Sequence, residues 1–303
     1  MKRFLTLVAT TLVCLPLAAQ DKPARPRVTG IHHVRFYVTN VEKSREFYGN
    51  ILGFPSSDYR CTDVSRSCFG VNWGPKQHVE LEQASSATQK NWLAGVAFAT
   101  DNVPQMRRYL VARGVRAGAI SKGADYTEQF ELRDPEGNLI AFVGYPGPFP
   151  VDDPPPPAAA SEHLIHAGFV VHDRAAEDRF YKDILGFHVY WHGGRNDDET
   201  SWVDMQVPDG TDWIEYMLNV PANADHHTLG VMNHIALGVP DIHAAEAQLR
   251  KNGWTGSEKP KIGRDGKWQL NLYDPDDTRV EFMEFTPVQK PCCSDYTGPH
   301  PKP

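Results

Sequence analysis

Basic runs, long apolar segments and cysteines are all scarce in this chain of 303 residues. Lysine and arginine total 31 against 38 acidic residues, a formal charge of −7, and no stretch gathers the positive ones. A net acidic chain without a basic patch is a poor partner for nucleic acid, so polyanion recognition is excluded. Only one apolar run is extended, from Phe4 to Ala19. At about 16 residues it falls short of the roughly 20 that cross a bilayer. Lys2 and Arg3 precede it, and Ala18-Ala19 close it ahead of Gln20-Asp21. This reads as a secretory signal over residues 1–20, cleaved near Ala19. The expectation is a secreted or periplasmic protein with no membrane attachment after cleavage. Of five cysteines, Cys14 leaves with that segment, and Cys61, Cys68, Cys292 and Cys293 remain. An even number suits an oxidising compartment. Cys61 and Cys68 enclose a loop short enough to pair; the adjacent Cys292 and Cys293 leave mutual pairing, pairing elsewhere and free thiols open.

What is present is globular and repetitive. Hydrophobic residues make up 41% and charged ones 23%, enough to bury the cores of two domains. A Pro-rich linker, residues 147–161, divides the chain near its middle, and a second Pro-rich segment, 288–303, is expected to wrap loosely over the surface. Between these breaks one unit recurs four times. Each opens with a β-type run: residues 31–38, 93–100, 163–171 and 233–239. A capping residue follows (Asn40, Asp101, Asp173, Asp241) and then an amphipathic helix. The first and third helices end in FY-x-x-I-L-G-F, at Phe47 to Phe54 and Phe180 to Phe187, with glycine suited to the C-cap. Each unit closes on a late strand, residues 78–83, 138–145, 212–218 and 279–285. From a marked position in the opening strand to one in the closing strand the separations are 47, 47, 49 and 47 residues: His33–Glu80, Ala94–Ala141, His166–Glu215 and His234–Glu281. The reading is four βαβββ modules, with domains over residues 28–146 and 162–287.

The pattern resembles the vicinal oxygen chelate superfamily, which includes glyoxalase I, bleomycin-resistance proteins and extradiol dioxygenases. The likeness rests on H-[VIA]-x-[FIL] in the opening strands, the FY-x-x-I-L-G-F helix end and I/V-E-[FLY] in the late strand, across nearly all of residues 29–287. It implies an α+β fold in which paired modules form two cupped eight-stranded mixed sheets, each able to hold one metal. Carried over position by position, the ligands of the second half are His166, Glu215, His234 and Glu281. Two imidazoles and two carboxylates suit one divalent ion, Fe²⁺, Zn²⁺, Ni²⁺ or Mn²⁺. The first half retains His33 and Glu80, but Ala94 and Ala141 stand at the other two places, so that half is ligand-depleted. If the first module pairs with the fourth instead, His33, Glu80, His234 and Glu281 form the tetrad; both arrangements remain open at this point.

The resemblance implies a small-molecule substrate chelating through adjacent oxygens, with Glu215 or Glu281 as the catalytic base. A metal-dependent lyase or isomerase is favoured. A metal-free binding protein of the bleomycin-resistance type is the competing class, and an atypical extradiol dioxygenase the third. Ring cleavage would call for a catalytic histidine and a tyrosine three residues before the Asp-Pro turn; Asn271 stands at that second place. His32, His163, His172, His243 and the His226-His227 pair read as structural, while His188 and His192 lie on the second strand of the third module, where some side chains face the cavity. With four modules in one chain, a monomer suffices.

Overall fold

The structure is a computed structural model and describes residues 23–56, 61, 63, 65–71, 77–86, 91–123, 126–145 and 158–303. The segment 1–20 expected to be a signal and most of the 147–161 linker lie outside the described residues. The fold is α+β, with two curled mixed sheets. The first contains β1 (Val28–Val38), β2 (Ser67–Gly70), β3 (His78–Gln83), β4 (Leu93–Thr100), β5 (Ser121–Lys122), β6 (Glu128–Arg133) and β7 (Leu139–Gly144), in the order β2-β3-β1-β4-β7-β6-β5. The second contains β8 (His163–Val170), β9 (His188–Gly193), β10 (Trp202–Gln206), β11 (Trp213–Met217), β12 (His234–Val239), β13 (Lys261–Ile262), β14 (Trp268–Tyr273) and β15 (Arg279–Glu284), in the order β13-β14-β15-β12-β8-β11-β10-β9. The first sheet thus has seven strands rather than the expected eight among the described residues. Where an eighth would lie, Ser56 forms only an isolated bridge to Phe69, and residues 57–60 are outside the described set.

Opening strands pair antiparallel at the centre of each sheet, β1 with β4 and β8 with β12. Consecutive modules therefore share a sheet, and the first-with-fourth tetrad is not assembled: His33 and Glu80 lie in one sheet, His234 and Glu281 in the other.

Among the described residues there are five α-helices: α1 (Val41–Arg45), α2 (Val103–Val111), α3 (Arg174–Glu177), α4 (His226–Met232) and α5 (Ile242–Lys251). Asn40, Asp173 and Asp241 cap as expected, each accepting a backbone N–H with its side chain. For α2 the cap is Asn102, whose side chain accepts from the Gln105 amide, not Asp101. α1 and α3 run on as π-helical turns over Glu46–Ile51 and Asp178–Ile184, the FY segments. These turns explain the motif. Tyr48 Oη donates to Asp274 and Tyr181 Oη to Asp134, each at 3.2 Å, so each FY turn of one half grips an Asp-Pro turn of the other. Burial pushes the two carboxyls up, Asp134 to about 6 and Asp274 to about 7. Gln77 adds a further tie, donating to the Leu164 carbonyl and accepting from the Leu164 amide, both at 2.7 Å.

The C-terminal segment does not wrap loosely. Tyr296 packs on Tyr190 with ring centroids 4.7 Å apart and donates to the Asp265 carbonyl at 2.9 Å. The Thr297 amide donates to Tyr190 O at 3.0 Å, Gln206 donates to Pro299 O at 2.9 Å, and Pro301 is buried. Prolines suit this route because most of the segment needs no ladder hydrogen bonds. Replacing Tyr296 with alanine should cost about 2 kcal/mol of folding stability, read as a lower urea midpoint. An unchanged midpoint would make the segment peripheral.

Candidate metal centre

The concave face of the second sheet collects the predicted residues by register. His166 on β8 faces Ala236 on β12, which faces Glu281 on β15. His234, two residues before Ala236, lies opposite Gly168, and Glu215 on β11 pairs with the same Gly168 from the other side. Strand alternation turns all four side chains to one face. His234 can lie there because Gly168 has no side chain: a Cβ at that position would stand 2.1 Å from His234 Cε1.

His166 Nε2 and His234 Nε2 are 3.1 Å apart. Glu215 Oε2 lies 3.2 Å from His234 Nε2 and 3.8 Å from His166 Nε2. Glu281 Oε2 lies 3.6 and 3.8 Å from the same two atoms. Ligand atoms about 2.1 Å from a shared ion stand about 3.0–3.4 Å from one another, so the set has close to the spacing of a first coordination shell. His166, His234 and Glu281 form a group of potential ligands, all buried, with the donor atoms within 4.8 Å of one another.

The proton inventory points the same way. His234 Nδ1 donates to the Met232 carbonyl at 3.0 Å, which turns Nε2, the ring's other nitrogen, toward the two carboxylates. Acceptors converging on acceptors are unfavourable in a buried site unless a cation stands between them. Here Arg279 reaches in, its Nη2 2.6 Å from His234 Nε2. Burial would raise the Glu281 carboxyl, but Arg279 and the two histidines hold it down at about 2. Burial, then His234, keep His166 well below its ordinary value and therefore neutral, the ligating form. His166 Nδ1 is buried without a partner. The donor set and spacing fit a divalent ion.

The centre opens on a cavity of about 510 Å³ lined by Trp202, Asp204, Arg264, Asn271 and Cys292 as well as by His166, Glu215 and Glu281. A ring of charge behind the ligands was not read from the sequence. Asp204 pairs across the sheet with Glu215, and burial and then that carboxylate push it well above its usual range. Lys267 is fully buried, its Nζ 4.9 Å from the Trp213 ring centre and 5.2 Å from that of Tyr296; burial lowers it to about 8. Arg279 was available to strand alternation, two residues before Glu281. Lys267, in a turn, carried no periodic signal.

The first sheet keeps two of the predicted residues and disposes them differently. His33 Nε2 is 3.8 Å from Glu80 Oε2, but Arg35 Nε and Arg66 Nη1 reach that same oxygen at 3.0 and 3.2 Å. Arg35 pairs with Gly95 as Gly168 pairs with His234, with the small residue now on the other strand. By register Gly95, not Ala94, stands in the place of His234; neither can ligate. A guanidinium thus occupies the volume that the second cup gives to an imidazole. Cys61–Cys68 and Cys292–Cys293 are both disulfide-bonded.

The family description "Glyoxalase/Bleomycin resistance protein/Dioxygenase superfamily" matches residues 30–142 and 163–282. Curated proteins give no match. Among solved structures, homoprotocatechuate 2,3-dioxygenase from Arthrobacter globiformis is similar at TM-score 0.62 and 18% identity, covering 89% of this chain and 84% of that one. The 2,3-dioxygenase LapB from Pseudomonas sp. KL28 aligns at TM-score 0.62 and 18% identity over 92% and 96%. The Mn(II)-bound glyoxalase from Novosphingobium aromaticivorans aligns at 0.64 and 18% over 90% and 86%. At such identity these likenesses establish the fold.

Proposed function

Because the chain belongs to the Glyoxalase/Bleomycin resistance protein/Dioxygenase superfamily, we propose that its second cup is a divalent-metal centre. It would serve a lyase- or isomerase-type reaction on a small molecule that chelates through two adjacent oxygens. The observation that carries this reading is the convergence of His166, His234, Glu215 and Glu281 at 3.1–3.8 Å around one point. Fe²⁺, Zn²⁺, Ni²⁺ or Mn²⁺ suits that donor set, and when bound supplies Lewis-acid polarisation of the substrate's oxygens.

The chain's own residues do the remaining work. His166, His234 and Glu281 are the more deeply buried and hold the ion; Glu215, its side chain 14% exposed, borders the cavity and takes the substrate proton. Asn271 and Arg264 line the same cavity as donors for substrate oxygens. Ring cleavage is disfavoured: among the described residues lining the cavity His166 is the only histidine, and Asn271 stands where a tyrosine would be required. The signal-like segment 1–20 and the two disulfides support export to an oxidising compartment. One chain supplies every residue of the site.

The test is proton exchange. With α-hydroxycarbonyl compounds in D₂O, the metal-loaded protein should wash deuterium into the substrate carbon, followed by NMR. Glu215→Gln should retain the ion on three ligands yet lose about a hundredfold to ten-thousandfold of the exchange rate. Undiminished exchange in that variant, or after chelation, would remove the reading.

A second reading has one observation behind it: the Arg279 guanidinium already reaches His234 within the ligand set. In a metal-free cup that cation would receive an anionic small molecule. Purified protein that neither carries nor takes up a divalent ion would select it.

A further inference from the structure

We infer that the first cup holds a second divalent-cation site, built from His32, His33 and His78. His32 and His78 stand at none of the ligand positions that the four-module repeat marks.

The backbone explains how they meet. Between Ile31 and His33, β1 advances two residues while β4 advances one, from Phe98 to Ala97. That bulge makes His32 the extra residue and re-aims its side chain, so neighbouring positions reach one face. His78 comes from β3, directly in register with His33. In the second cup the corresponding pair is His166 with Trp213, ring centroids 4.9 Å apart; here an imidazole replaces the indole, and His33 and His78 stack at 4.8 Å. On the other side of His33 the register partner is the small residue Ala97.

One ring nitrogen from each histidine lies within 4.8 Å of the other two, and all three residues are at most 2% exposed. His32 Nδ1 and His33 Nδ1 are 3.0 Å apart, the same close approach of two imidazole nitrogens that marks the second cup. Among the described residues His32 Nε2 is buried with no hydrogen-bond partner. A structural network would be expected to satisfy that atom. Burial keeps His32 and His33 uncharged, ready to ligate. Glu80 contributes as an orienting carboxylate, its Oε1 accepting from His78 Nε2 at 3.3 Å, while Arg35 and Arg66 neutralise it. Arg35 also reaches Glu131 at 3.5 Å, and Glu131 and Arg66 line a cavity of about 420 Å³. Three imidazoles select a borderline cation such as Zn²⁺, Ni²⁺ or Cu²⁺ over Mg²⁺ or Ca²⁺.

The experiment is Zn²⁺ stoichiometry on the whole chain, stripped of metal and dialysed against Zn²⁺. Wild type should take up two ions. A variant with the second cup disabled, His166→Ala with Glu281→Ala, should keep one and show a Zn²⁺-dependent rise in melting temperature. Adding His32→Asn and His78→Asn to that background should remove both the ion and the rise. A second-cup-disabled protein that folds by circular dichroism yet binds no Zn²⁺ overturns the inference. If that variant does not fold, wild type decides alone: two ions support the site, and one ion lost on His32→Asn but not on His234→Ala also supports it. One ion insensitive to His32→Asn overturns it. Failure of the second-cup proposal reads differently, as an ion count unchanged by His166→Ala and Glu281→Ala.

Discussion

Replacing Glu281 with glutamine should strip the second cup of its metal while leaving the protein folded. The substitution keeps shape and burial but removes the charge that balances two lone-pair nitrogens and an incoming cation. Loss of an outer-shell partner typically costs about 10–100-fold in metal affinity, so loss of a direct, fully buried carboxylate should exceed about a hundredfold. His234→Ala should match it. Acid should do reversibly what Glu281→Gln does permanently. Imidazole and carboxylate ligate only when deprotonated, so protons compete for the site. Arg279 and the histidines hold Glu281 at about 2 against the opposing effect of burial, and burial holds His166 far below the reference value of about 6.5. Depressed values mean that protons compete late, so release should begin below pH 6.5, reach completion only at lower pH, and reverse with excess metal. Metal content across a pH series is the measurement. Wild-type occupancy in Glu281→Gln would sink the assignment.

How much of this was legible in the linear sequence depends on what spacing can encode. The intervals of 47 and 49 residues reflect real strand-to-strand distances, and they bring His166, Glu215, His234 and Glu281 to one point. The FY segments recurred visibly, but their purpose was hidden, because Tyr48 and Tyr181 act on Asp274 and Asp134 across the boundary between halves. Spacing misplaced the blank in the second module: the register partners Ala97 and Ala141 are 44 residues apart where Ala236 and Glu281 are 45, so counting 47 back from Ala141 reaches Ala94 and not Gly95. Bulges are invisible to counting. A lone strand histidine such as His32 reads as structural, since alternation puts it on the face opposite His33, and a bulge suspends that rule. Prolines in the last segment suggested looseness, whereas Tyr296 and Pro301 show that such a segment can pack closely once aromatic side chains anchor it.

Volume, the other hidden quantity, separates the two cups, and it yields the second large expected effect. Gly168 and His234 are register partners, as are Arg35 and Gly95; each pair is one glycine facing one large side chain. Gly168→Ala should therefore eject the His234 ring from the ligand set. The added Cβ would stand 2.1 Å from Cε1 and 2.4 Å from Nδ1, and no rotation about the ring's own axis relieves both contacts. The ring is also tied to Met232 O through Nδ1 and is fully buried, so moving it breaks that hydrogen bond. Either His234 swings out, and metal affinity falls by more than about a hundredfold as for a lost ligand, or β8 and β12 separate, and stability falls by about 1–3 kcal/mol from overpacking. Calorimetric metal titration and urea unfolding separate the two. The double variant Gly168→Ala with His234→Ala sharpens the test, since removing the ring removes the clash. It should unfold at a higher urea concentration than Gly168→Ala alone, yet still bind no metal in the second cup. Wild-type affinity and stability in Gly168→Ala would mean that the His234 ring does not depend on the space this glycine leaves.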